Sequence, residues 1–214
     1  MSLRQSSRGL ARMPGAYSSR RWVALLVFAA VVMGLAYADR RGWFGQAQGS
    51  DPERYHGKSF AVAKVVDGDT VDLDVPDKEH PHTRIRLLGV DTPETKKPDT
   101  PVQYFGPEAT AFTRDNLLRP HLRVTVQLDA ARTRDKYDRL LAYLVLPDGR
   151  NFSELLIATG HGYADPRFRH PLHRQFGQAQ KEAMRQRLGL WKAVRDQDLP
   201  SYYRGKLELP AGRP

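Results

Sequence analysis

Residues 60–75 read FAVAKVVDGDTVDLDV, and their pattern decides the fold. Phe60, Val62 and Val65/Val66 open a β-rich run, Asp67-Gly68-Asp69 is a turn signal, and Thr70 to Val75 alternates apolar with polar. Side chains on a strand point to opposite faces in turn, so this alternation describes a strand with one face buried. Working outward, TRIRLLGV at 83–90 is a third strand, Leu122 to Leu128 a fourth, and Leu140 to Leu146 a fifth, closed by the turn Pro147-Asp148-Gly149-Arg150. A helix starts at Gly106-Pro107-Glu108, with Pro at the first helical position and an acid in the first turn, and runs to about Arg119. A second runs from about Asn151 to Thr159, with Gly160 in the stop position. A third has apolar residues at 172, 176, 179, 183, 184 and 188, and Trp191 follows it as a core plug. Five short strands with a helix inserted after the third predict a β-barrel with helices (α+β). The natural candidate is the five-stranded OB-fold barrel with about three α-helices.

The 214 residues carry 34 Lys and Arg against 24 Asp and Glu, a formal charge of +10. Residues 1–50 hold seven of those Arg, no Lys and a single acid, Asp39, so +6 belongs to this segment and +4 to the rest. The segment has export architecture: a basic stretch 1–21, then Trp22 to Ala38 without a charge. At about 1.5 Å per residue, these residues lie at the short end of what crosses roughly 30 Å of hydrocarbon. They are expected to form an N-terminal hydrophobic helix, either a transmembrane signal anchor or the apolar region of a signal peptide cleaved near Ala36-Tyr37-Ala38. A linker follows at 39–56, then a domain at 57–195 and a tail at 196–214. The Arg upstream favour a cytoplasmic N-terminus, with the domain exported: membrane-anchored, or secreted or periplasmic after cleavage. There is no Cys, which excludes disulfides, thiolate metal sites and Cys nucleophiles, so any metal must be held by oxygen or by His.

Three charged clusters carry the chemistry: Val66-Asp67-Gly68-Asp69-Thr70, the segment from Arg86 to Thr95 (RLLGVDTPET), and Asp135-Lys136-Tyr137-Asp138-Arg139. Taken singly, the first is an ordinary hairpin turn, Arg86 a salt-bridged strand residue, Glu94 a solvated loop acid and the third a charged turn. Together they describe a different object. Asp69 and Asp91 lie at element ends that a small barrel brings side by side, as a hard divalent cation requires. Glu94 is then near the ion and free to take a proton from water. Two arginines supply planar forks that pair bidentately with phosphate oxygens and stay charged. Metal, base and paired Arg are the parts of phosphodiester hydrolysis.

These clusters resemble those of the staphylococcal nuclease (thermonuclease) family. The match runs in order from about Phe60 to Trp191 through DGDT, RLLGVDTPET, YFGPEA, DKYDRLLAY and LGLW. The resemblance implies a Ca2+-dependent endonuclease acting on DNA and RNA and leaving 3′-phosphate ends. It places the calcium ligands on Asp69, Asp91 and the backbone carbonyl of Thr92, with Asp67 acting behind them. It makes Arg86, Glu94 and Arg139 the catalytic residues, with Glu94 activating water and the two Arg stabilising the phosphate. Lys136 and Tyr137 match residues beside the bound 5′-phosphate, and Tyr163 and Phe168 are the nearest candidates for base stacking. The implied partners are nucleic acid and, through residues 22–38, a membrane; no protein partner is predicted, and the chain is expected to be a monomer. The rival reading is a catalytically silent nucleic-acid-binding module on the same barrel.

Five positions depart from the pattern or stand outside it. Asp138 stands where the family commonly has Gly, a change that adjusts the turn or offsets local positive charge. Asp99 and Thr100 lie in a loop that is Lys-rich in the namesake enzyme, which weakens phosphate attraction there. His170 and His173 read as surface histidines, since no third zinc ligand accompanies them.

Overall fold

The computed structural model describes residues 17–40, 49–95, 101–129 and 132–209, with side chains in the first stretch only at 22–35 and 37. The chain divides into two compact units, Met1–Gln48 and Gly49–Pro214. In the first, helix α1 (Tyr17–Arg40) covers the expected apolar segment, and its described side chains are exposed. Among the described residues no helix is long and apolar enough to cross a membrane. The expected membrane-spanning helix therefore has no support in the structure beyond being helical.

The second unit opens with helix α2 (Asp51–Tyr55) and the strands β1 (Ser59–Phe60), β2 (Val62–Asp67), β3 (Thr70–Leu73), β4 (Thr83–Leu87) and β5 (Val90–Asp91). Helix α3 (Gly106–Leu117), strands β6 (Val124–Leu128) and β7 (Leu140–Val145), helix α4 (Phe152–Ala158), strand β8 (Tyr163–Ala164) and helix α5 (His173–Arg185) follow. The main sheet has the order β1-β6-β7-β4-β3-β2. Its two end strands are consecutive in the chain, separated by Ala61 alone, so the sheet rolls and its ends are joined covalently. One bent strand thus serves both edges, and the expected five strands close into a barrel that removes the open edges. The expected third strand, 83–90, breaks at Leu88-Gly89: β4 stays in the barrel, while β5 leaves it to pair with β8.

Burial follows the alternation. On β4, Thr83, Ile85 and Leu87 are buried, while Arg84 and Arg86 face the other way. The barrel core joins Val65, Val71, Leu73, Ile85, Val124, Val126, Leu140 and Leu144, and α4 and α5 add Leu156 and Phe176. A second cluster gathers Tyr163, Ala183, Leu190, Trp191, Val194 and Leu199, with Tyr203, Leu207 and Leu209 against it. The compact unit therefore takes in Tyr55, which is fully buried, and chain beyond 195, so the folded region is wider than 57–195.

Gly160 ends α4 as expected and does a second job. It has φ +72°, and a Cβ there would lie 2.2 Å from the carbonyl oxygen of Leu188. Its own carbonyl accepts from Leu190 N–H at 2.9 Å, which fixes the 3-10 turn carrying Trp191. Gly160→Ala is expected to cost at least about 1–3 kcal/mol from the backbone conformation alone, before the clash is counted. Urea denaturation at neutral pH checks this, and an unchanged midpoint would refute it.

Candidate active site

The hairpin turn, the loop after β5 and the segment before β7 converge on one cavity of about 940 Å³. The parallel pairing of β4 with β7 sets Arg86 opposite Leu141, so Arg139, just ahead of β7, opens on the same side. Gly68 brings the second loop to the first: a Cβ there would meet Thr92 Oγ1 at 2.6 Å. Of the residues singled out in the sequence, Arg86, Glu94, Arg139, Asp69, Asp91, Asp67, Lys136, Tyr137 and Phe168 all line this cavity.

Arg86 is the hub. Its Nη1 donates to the carbonyls of Leu87 (3.0 Å) and Val90 (2.7 Å), and its Nη2 donates to Asp91 Oδ1 at 2.8 Å and lies 3.2 Å from Asp69 Oδ2. The two expected ligand carboxylates therefore meet across one nitrogen. Asp69 also accepts from Thr70 Oγ1 (3.0 Å) and from the Thr92 N–H (3.0 Å), which sets the Thr92 peptide beside it. Burial raises the pKa of Asp69, with Arg86 opposing and Asp91 and Asp67 adding to the rise. For Arg86, burial acts against the charge but is outweighed by Asp69 and Asp91, and its pKa is raised.

Asp67 sits behind this pair. Its Oδ1 accepts from the hydroxyls of Thr95 (2.9 Å) and Thr110 (3.1 Å) and from Gly68 N–H (2.8 Å), so α3 and the loop hold it in place. Glu94 is anchored through its backbone, whose N–H donates to Gln103 Oε1 at 2.9 Å while its carbonyl accepts from Gln103 N–H. Among the described residues its carboxylate has no hydrogen-bond partner. Burial, and then repulsion from Asp69, Asp67 and Asp91, raises its pKa.

Arg139 is aimed by Asp135, which takes its Nε at 2.8 Å and its Nη2 at 2.7 Å. Burial works to raise the Asp135 pKa, but hydrogen bonds from Arg139 and Tyr137 hold it below the usual carboxylate range. Tyr137 is 68% exposed, with Lys136 Nζ 4.9 Å and Arg139 Cζ 5.5 Å from its ring centroid. Asp138 has φ +63°, explaining why the family's glycine can be replaced: Asp tolerates the left-handed region better than most residues. It is held there by Lys78 and, at 3.6 Å, by Arg134.

Two sequence expectations are corrected. Tyr163 offers no stacking surface, because it is only 2% exposed, with its ring edge-on to Trp191 at 5.5 Å. Its backbone pairs with Asp91, while its side chain belongs to the second core cluster. Phe168, 52% exposed at the cavity wall, keeps an open face. His170 is not a surface residue: it is 8% exposed, and its Nδ1 is 2.6 Å from the Tyr143 hydroxyl. The expected weakening of phosphate attraction at Asp99 and Thr100 lies outside the described residues.

Several site residues had no local signal. Thr110 reaches Asp67 from 43 positions away, and Tyr202 donates to Asp91 Oδ2 at 2.7 Å from 111 positions away. Arg167, clamped by Asp165, lies 3.1 Å from the same Asp91 oxygen.

The donor set suits a hard cation. Two carboxylates, one on the hairpin turn and one at the end of β5, and the backbone carbonyl that follows are all oxygen, and the remaining positions fall to water and substrate, as calcium permits. Among the described residues, no group of three or more His, Cys, Asp or Glu side chains is placed to hold a metal ion. The protein's share of any such site is thus small.

Residues 84–193 match the family model described as staphylococcal nuclease homologue. The chain is 36% identical over 173 residues to the thermonuclease of Staphylococcus intermedius, covering 79% of this chain and 95% of that protein. It is 33% identical over 171 residues to the thermonuclease of Staphylococcus hyicus, covering 78% and 94%. With endonuclease YncB of Bacillus subtilis (strain 168) it shares 36% identity over 102 residues, 48% of this chain and 46% of that protein.

Proposed function

This chain belongs to the staphylococcal nuclease homologue family, and on that premise we propose that it is a calcium-dependent endonuclease of DNA and RNA that leaves 3′-phosphate ends. It is a nuclease that hydrolyses phosphodiester bonds. The observation that carries the finer reading is the meeting of Arg86, Glu94, Arg139, Asp69 and Asp91 in one cavity.

Asp69, Asp91 and the Thr92 carbonyl would hold the cation, which when bound neutralises charge on the phosphate oxygens. Glu94, its carboxylate without a competing partner among the described residues, takes a proton from the water that attacks phosphorus. The bond from phosphorus to the 5′ oxygen breaks, releasing a 5′-hydroxyl and leaving the phosphate on the 3′ side. Arg86 has its Nε–H without a partner among the described residues and a long contact to Asp69, and both can turn to a phosphate oxygen. Arg139, preset by Asp135, supplies the second fork. Lys136 and Tyr137 lie beside the bound 5′-phosphate, and Phe168 provides a stacking face. The same reading places the domain outside the cytoplasm, with residues 22–38 as its membrane anchor or as a removed signal region.

The full-length chain is expected to degrade single-stranded DNA and RNA in millimolar calcium, to stop when the calcium is chelated, and to yield 3′-phosphate ends. Retained nucleic-acid binding with no cleavage over hours would overturn this in favour of a silent binding module.

A further inference from the structure

The Asp91 carboxylate has an asymmetric environment. Oδ1 accepts one hydrogen bond, from Arg86 Nη2 at 2.8 Å. Oδ2 accepts from the Tyr202 hydroxyl at 2.7 Å and faces Arg167 Nη2 at 3.1 Å. A carboxylate oxygen offers about two acceptor directions, so Oδ2 is filled while Oδ1 keeps one open. Both groups on Oδ2 are themselves fixed. Arg167 pairs through Nε (2.8 Å) and Nη2 (2.7 Å) with buried Asp165, and its Cζ lies 4.5 Å from the Tyr202 ring centroid. Tyr202 is carried by a segment that is part of the core: Leu199 is buried, Leu207 packs on the second cluster, and the Tyr203 hydroxyl donates to the Ala164 carbonyl at 2.5 Å. That carbonyl lies on β8, the strand paired with β5, so segment and carboxylate share one rigid support.

We propose that Tyr202 and Arg167 are positioning residues for Asp91, occupying Oδ2 so that Oδ1 is the oxygen presented beside Asp69 to a divalent cation. This rests on Asp91 being a cation ligand, as assigned above. The segment after residue 195 is then part of the active site. Hydrogen-bond partners behind a metal ligand fix its orientation, and removing them weakens binding by about 10–100-fold.

The test is calcium titration by calorimetry on the full-length chain, with Tyr202→Phe, Arg167→Gln and Asp91→Asn beside the wild type. Tyr202→Phe keeps the ring against Arg167 and removes only the donor. It is expected to weaken calcium affinity at least about 10-fold, with a calcium-free thermal midpoint close to wild type, and Arg167→Gln is expected to weaken binding similarly. A purely structural role would move the thermal midpoint and leave the affinity of the folded protein alone. If Asp91→Asn loses calcium while both other variants bind as wild type, the positioning role is overturned and the ligand assignment stands. If Asp91→Asn also binds as wild type, the ligand assignment fails, and the positioning role fails with it.

Discussion

Glu94→Gln is expected to lower kcat by about 10²–10⁴-fold, the usual worth of a positioned base, without destabilising the protein. The two halves of that result have one cause. The Glu94 carboxylate has no hydrogen-bond partner among the described residues, and its charge is opposed by burial and by Asp69, Asp67 and Asp91. The amide keeps the shape and the backbone bonds to Gln103 but cannot take a proton. A carboxylate whose folded pKa lies above its unfolded value of 4.5 costs stability once the pH rises past that value. In calcium-free buffer at pH 7 the variant is therefore expected to unfold at or above the wild-type urea midpoint. Undiminished kcat would remove Glu94 from the mechanism, and a large fall in stability would mean that it holds structure.

Arg134→Ala is expected to produce the largest loss of stability, about 3 kcal/mol, toward the lower end for a broken buried pair because the site is not fully enclosed. Arg134, 15% exposed, donates to Asp51 at 2.7 and 2.8 Å and to Asp77 at 2.7 and 3.1 Å. It thereby ties α2 to the loop after β3, and Asp77 also accepts from buried Tyr55 at 3.2 Å. Removing the guanidinium leaves two carboxylates facing each other with little water. Guanidinium chloride would mask such charges, so urea denaturation is the suitable measurement. An acid limb accompanies this effect. The hydrogen bond from Arg134, against a smaller effect of burial, lowers the Asp51 pKa. That contribution is present above the unfolded value of 3.8 and is lost as the pH falls through the lower folded one. Asp51→Asn should flatten the stability curve in that range, and an unchanged curve would count against the network.

The barrel was legible because its evidence is local. Alternation from Thr70 to Val75, the Asp67-Gly68-Asp69 turn and Pro107 at a helix start each report what a few neighbouring residues do, whatever lies elsewhere. The splitting of the first strand at Ala61 was not legible, since both halves have the same β character and only the partners differ: β6 for one, β3 for the other. Tyr163 failed for a related reason. An aromatic residue beside a site and one in a core look alike in sequence, and the turn of β8 toward Trp191 decided between them.

By itself the sequence determined the five barrel strands and the helices α3, α4 and α5, the absence of thiolate ligands for any metal in a chain without cysteine, and the set Asp67, Asp69, Arg86, Asp91, Glu94 and Arg139. Motif spacing and side-chain chemistry are properties of the chain. The tertiary structure alone decided which groups hold that set in place: Thr110 behind Asp67, Asp135 on Arg139, and Tyr202 with Arg167 on Asp91. Apart from Asp135, these supports come from elements distant in sequence, and closing the barrel and packing α3 and the C-terminal segment against it is what brings them within hydrogen-bonding distance.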